Sequence, residues 1–198
     1  REPLASEVDR PSASATDRDE AEPDFKRLAI EGNPLALFIG RYSANVEYLP
    51  ALHHALVLNP HYSSVSFGGQ VGIGPDGEEV FTDGFSGFGA ELGYRYYTGR
   101  KGPQGFFIGP SFLFGFYDAE QSDLTGSEEK SFTNVGWALD IGGQGVIGPG
   151  IVLGGGVGIQ QTRNSLNADQ FGELPLSAEI LVGSGVRPRV LFAVGYAF

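Results

Sequence analysis

The sequence contains no cysteine and no methionine, only one tryptophan, and no apolar run long enough for a membrane-crossing helix. Without cysteine there can be no disulfide, no thiol nucleophile and no thiolate metal ligand. Every hydrophobic stretch is broken by Gly, Asn, Asp, Glu or Arg within a few positions, well short of the roughly 18 residues of a helical span. A spanning β-strand needs only about 9–11 alternating residues, so this absence leaves membrane strands open. Positive charge is also scarce, with 13 Lys and Arg against 24 Asp and Glu and a formal charge of -11. That balance excludes a broad basic face for nucleic acid. Arg1 at the start and the lack of an apolar leader point to a processed chain whose signal peptide has been removed.

What is abundant is glycine, at 31 residues, with 15 Phe and 8 Tyr. The glycines follow no three-residue period, which excludes a collagen-like chain. Two regions separate by composition. Residues 1–25 hold Pro3, Pro11, Pro23 and eight acidic residues, and form a polar N-terminal arm too poor in apolar side chains to build a core. Residues 26–198 alternate apolar with small or polar residues, the period of a β-strand.

Residues 28–39 read as one strand whose parity reverses at Asn33-Pro34, the mark of a bulge. In 41–49, Tyr42, Ala44, Val46 and Tyr48 oppose Arg41, Ser43, Asn45 and Glu47. After a Leu49-Pro50 turn a strand is expected over 54–67, its register obscured by Asn59-Pro60. Strands near 85–98, 105–117, 134–141 and 151–161 follow, and 189–198 sets Val190, Phe192, Val194, Tyr196 and Phe198 against Arg189 and Gly195. Short turns alternate with longer polar loops near 68–84, 118–130 and 163–177. The pattern predicts an all-β, closed antiparallel transmembrane β-barrel of eight strands in the bacterial outer membrane, its apolar faces toward lipid. Residues 174–187 are unusually apolar for a loop and leave a lengthened last strand or an additional strand open. The competing reading is a soluble sheet whose polar face meets water.

On the polar faces, Glu47, Glu91, Arg95 and Asp140 would be too costly against hydrocarbon, and they are expected to form an interior polar network in a crowded lumen. The segments NPLALFIGRYSANVEYLP at 33–50, GAELGYRYY at 89–97, GFFIGPSFLFG at 105–115 and VGYAF at 194–198 resemble a poorly characterised family of small bacterial outer-membrane β-barrel proteins. The resemblance covers about 26–198. It implies outer-membrane lipid as the surroundings, and Tyr196 with Phe198 as the signal read by the outer-membrane assembly machinery.

His53, His54, His61, Ser63 and Ser64 form the one cluster with catalytic residue types, but proximity in one strand does not build a nucleophile, base and oxyanion site. His53 and His54 point to opposite faces of an extended chain, so neither metal nor cofactor is expected. The function expected is therefore structural or binding. Residues 1–25 are expected to contact neighbouring copies, because their acidic residues would be unpaired inside the lumen. The alternatives are a lipid-modifying hydrolase or acyltransferase and a narrow solute channel.

Overall fold

The computed structural model describes residues 25–72, 78–123, 126–165, 181 and 183–198. Eight strands run in chain order, β1 (Leu28–Gly32), β2 (Arg41–Ala51), β3 (His54–Gly72), β4 (Glu78–Tyr97), β5 (Gly105–Asp123), β6 (Gly126–Ile147), β7 (Ile151–Asn164) and β8 (Gly185–Ala197). Each is antiparallel to its neighbours, and β8 pairs with β1 to close an all-β barrel. The start of β1, the end of β8 and the short β2–β3, β4–β5 and β6–β7 turns share one end, here the near end; the other connections lie at the far end. The arm at 1–25 lies outside the described residues except for Phe25, as does most of 174–187.

The structure departs from the expected strand plan in two places. Residues 28–39 are not one bulged strand: Asn33 ends β1 and caps a short helix, α1 (Pro34–Leu37). Its side-chain oxygen accepts from the backbone N–H groups of Leu35 at 3.1 Å and Ala36 at 3.2 Å, while Pro34 occupies the first turn, where a missing N–H costs nothing. Gly40 follows at φ 76°, a left-handed conformation that turns the chain into β2. The supposed loops near 68–84 and 118–130 are largely strand, since β3 and β4 stay paired to Gly72↔Glu78 and β5 and β6 to Asp123↔Gly126.

Prolines interrupt ladders without shifting them. Pairing of β2 with β3 lapses between Ser43↔His61 and Val46↔Leu58 beside Pro60, and pairing of β4 with β5 lapses between Gly93↔Ser111 and Tyr96↔Ile108 beside Pro110. The register is the same on both sides of each lapse, as expected where a donor is missing and no residue is inserted. Pro50 lies within β2, where the β2–β3 register does shift between Tyr48 and Ala51.

Outward positions are apolar around the whole wall. Leu58, Leu92, Phe112, Trp137, Ile159 and Val190 are all exposed. Aromatic residues bound this belt. Toward the far end Tyr42, Tyr62 and Phe88 are in contact, with Phe116 beside Phe88 in the ladder; toward the near end His54 packs on Tyr94 and Tyr96, and Tyr196 on Phe198. Phe88 and Tyr96 are about 26 Å apart along β4. Strand tilt reduces this to a height of roughly 20 Å, near that of the apolar band of a barrel in a membrane.

The inside is filled from both ends. Leu49, Ala55, Tyr97 and Phe107 form a buried cluster toward the near end, with Phe25 packed against it. Phe85, Tyr117 and Phe132 do the same toward the far end, joined by Val65 and Leu181. The polar side chains lie between these two apolar plugs.

Candidate functional site

Inward positions of β2, β4 and β6 converge on Glu47, the most deeply buried charge among the described residues. Arg95 forms an ion pair with its Oε1, the Tyr97 hydroxyl donates to its Oε2 at 2.7 Å, and Asn45 Nδ2 donates to its Oε1 at 3.0 Å. Asn45 also donates to Glu31 at 3.0 Å, and Gln144 Nε2 donates to the other oxygen of Glu31 at 2.8 Å. Glu31 and Glu47 are thus held beside each other through neutral donors, with Arg95 as the cation. The Arg95 guanidinium also lies over the Phe107 ring, 4.6 Å from its centroid, which ties this group to the apolar plug beneath it.

A second group sits nearer the far end. Arg189 Nη2 donates to both oxygens of Glu91, at 3.2 and 3.1 Å, and its Nε lies 3.3 Å from Asp140 Oδ1. Ser111 donates to Glu91 at 2.7 Å. Arg41 is held by neutral partners, donating to Asn59 Oδ1 at 3.4 Å and to His61 Nδ1 at 3.2 Å. With Nδ1 accepting, the N–H of His61 is at Nε2, where it donates to the Tyr117 hydroxyl at 3.1 Å. Arg187 donates to Thr162 at 2.6 Å. Glycines on the inward faces of β7 and β4 make room for these groups: a Cβ on Gly158 of β7 would collide with the Asp140 carboxylate, and one on Gly89 of β4 with the His61 ring.

The four residues read as one interior network therefore divide between two groups, Glu47 with Arg95 and Glu91 with Asp140. Arg189, whose inward parity is visible in the alternation of the last strand, is the cation that organises the second. Among the described residues, the first group sets Glu31 and Glu47 against Arg95, and the second sets Glu91 and Asp140 against Arg189, with Arg41 beside them.

The histidine and serine cluster is dispersed. His53 contacts the Tyr97 carbonyl at the β2–β3 turn through Nδ1, and His54 Nδ1 lies 2.6 Å from the Tyr94 hydroxyl on the outside. His61 lies roughly 23 Å up β3 and inside. Ser63 is buried on the same inward face, and Ser64 takes the opposite parity. Both ring nitrogens of His61 are engaged by Arg41 and Tyr117, so no serine–histidine pair forms. Tyr196 contacts the Pro149 carbonyl at 3.2 Å, and both Tyr196 and Phe198 are exposed.

A cavity of about 580 Å³ adjoins the second group. Arg41, Ser43, Asn59, Glu91 and Arg189 line its inner side, and Leu35, Ile39, Pro188, Val190 and Phe192 line its other side. It therefore meets both the inward and the outward face of β8.

This geometry defines a closed eight-stranded antiparallel barrel with an apolar exterior and a filled, charged interior. No family model matches the sequence, and no curated protein matches it. Among solved structures, the crystal structure of Acinetobacter baumannii CarO is similar, with a TM-score of 0.45 and 12% identity over 87% of this chain and 98% of that one.

Proposed function

We propose that this chain is an integral barrel of a bacterial outer membrane that works as a binding barrel with an occluded lumen. The observation that carries this reading is the pairing of an exposed apolar belt, bounded by aromatics on a wall closed on itself, with an interior plugged at both ends. Exposed apolar area on this scale is stable in lipid, and antiparallel pairing carried round to the β1–β8 contact is what lets strands lie there. An eight-stranded barrel leaves room for side chains and little else, which argues against bulk diffusion. Tyr196 and Phe198, exposed at the end of β8, are available to the assembly machinery, and contact with neighbouring copies is assigned to residues 1–25.

The test begins with membrane fractionation and heat-modifiable electrophoretic mobility of the full chain, then measures conductance in planar bilayers. The expected protein needs detergent for extraction, migrates faster before boiling and gives no stable conductance steps. Extraction without detergent would overturn the membrane reading, and large ohmic steps would overturn the occluded lumen. Deletion of residues 1–22 is expected to leave the barrel intact and lower its mass in detergent to that of a monomer. An unchanged monomer before and after deletion would remove the role given to the arm.

A further inference from the structure

The wall is not closed to the same height all the way round. β8 pairs with β1 only from Val194 to Ala197, because β1 stops at Gly32. From Gly185 to Ala193, β8 has β7 on one side and, among the described residues, no strand on the other. Across the seam, Arg41 to Ser43 of β2 pair with β3 alone. Helix α1 stands in the place of the missing strand, packed against both β2 and β8. It presents one buried side chain, Ala36, while Leu35, Leu37 and Phe38 are exposed, and Phe38 is 88% exposed.

Backbone groups on an open sheet edge are costly in hydrocarbon, and such an edge is tolerated where it lines a cavity or is covered by protein. Here the cavity runs along that edge. Its outer lining of Leu35, Pro188, Val190 and Phe192 belongs to the apolar exterior, and its inner lining reaches Arg41 and Arg189. Arg189 Nη1 is buried with no hydrogen-bond partner among the described residues, although Nη2 and Nε of the same side chain are engaged. Arg41 has only neutral hydrogen-bond partners. A passage that is apolar at its lipid end and ends on cations with spare donor capacity matches one kind of molecule.

Resting on the membrane reading above, we propose that the seam between β8 and β2 is a lateral binding site for a single-chain amphiphile. Its small anionic head, a carboxylate or phosphate, sits against Arg41 and Arg189, and its tail leaves the barrel between α1 and β8 into the bilayer. Binding gives the unpartnered Nη1 of Arg189 and the neutral-partnered Arg41 an anionic acceptor, and covers the exposed edge of β8. The tail supplies the apolar contact that α1 alone is too short to provide.

The experiment uses the full chain in phosphatidylcholine nanodiscs, with stearate spin-labelled near its carboxyl as the probe and its immobilised fraction as the readout. Heat-modifiable mobility of each sample reports separately whether the barrel has inserted, so a barrel that inserts without binding refutes the site and leaves the membrane reading standing. The expected result is a saturable immobilised component displaced by dodecanoate or dodecyl phosphate, but not by dodecanol, acetate or inorganic phosphate. Arg41→Gln is expected to weaken binding at least tenfold, Arg41→Lys to restore most of it, and Ala193→Phe, which fills the passage, to abolish it. Leu139→Ala, on the outer face of β6, is expected to leave it unchanged. Displacement by inorganic phosphate alone would show a free-anion site and overturn the proposal. So would unchanged immobilisation in inserted Ala193→Phe, which decides the matter should Arg41→Gln fail to insert.

Discussion

The wall from β3 to β6 and the seam from β8 through β1 to β2 solve the same physical problem differently. The wall strands are 19 to 22 residues long and hold a constant register to their far ends, whereas β1 has five residues and meets β8 at four positions. Along the wall the backbone is satisfied strand by strand and side chains need only face the correct medium. At the seam a short ladder closes the near half, and a capped helix with a cavity behind it occupies the far half. Closure therefore needs few pairs, provided that whatever edge remains is covered.

The largest expected effect joins the two regions through the lumen, because Arg95 on the wall neutralises Glu47 on the seam strand β2. Arg95→Met should destabilise the barrel by about 3–5 kcal/mol, since it leaves a fully buried carboxylate with only neutral donors. Adding Glu47→Gln should recover most of that loss in urea unfolding from lipid vesicles. If the double variant is as unstable as the single one, the ion pair is not what connects wall and seam.

A charge placed on the outside should distinguish the regions more sharply. Leu92 lies halfway between the two aromatic bands, and Leu92→Arg should cost about 2–4 kcal/mol. At Val190 a carboxylate can bend round the free edge of β8 toward the Arg41 and Arg189 side of the cavity, so Val190→Glu should cost about 1 kcal/mol or less, and less than Leu92→Glu. Equal losses from Glu at the two positions would mean that the seam is as closed to water as the wall.

The wall was far more legible in the sequence than the seam. On the proposed membrane reading, lipid on one side and a packed lumen on the other impose strict alternation, and that is what 85–98 or 134–141 display. Glu78 to Asp83 show no such alternation and read as loop, although their backbone continues the ladder to Gly72. At the seam the information was present in another form. Asn33-Pro34 is a helix-start signal, an N-cap followed by proline in the first turn, but it reads equally as a bulge because four residues are too few to show a helical period. Pro188 likewise suits a strand with one free edge. The inward parity of Arg41 and Arg189 could be read, but which side chains they meet depends on barrel register, which alternation does not specify.

The smallest expected change tests whether α1 guards the seam. Asn33 Oδ1 accepts from two N–H groups at the start of a helix too short to hold itself together, so Asn33→Ala should cost about 1 kcal/mol of local stability. Lost at the seam, this energy would hardly move the global unfolding midpoint, because Glu31↔Asn45 and Gly32↔Ala44 would still anchor β1 to β2. It should instead appear in amide hydrogen exchange. In the wild-type barrel the amides of Arg41 to Ser43 and the far half of β8 are expected to exchange faster than those of β4 and β5, since opening there breaks fewer bonds. In Asn33→Ala the α1 and β8 amides should exchange about fivefold faster still, with β4 and β5 unchanged. Uniform acceleration around the barrel would show instead that the cap supports the whole ladder, and that the seam is not a separate unit.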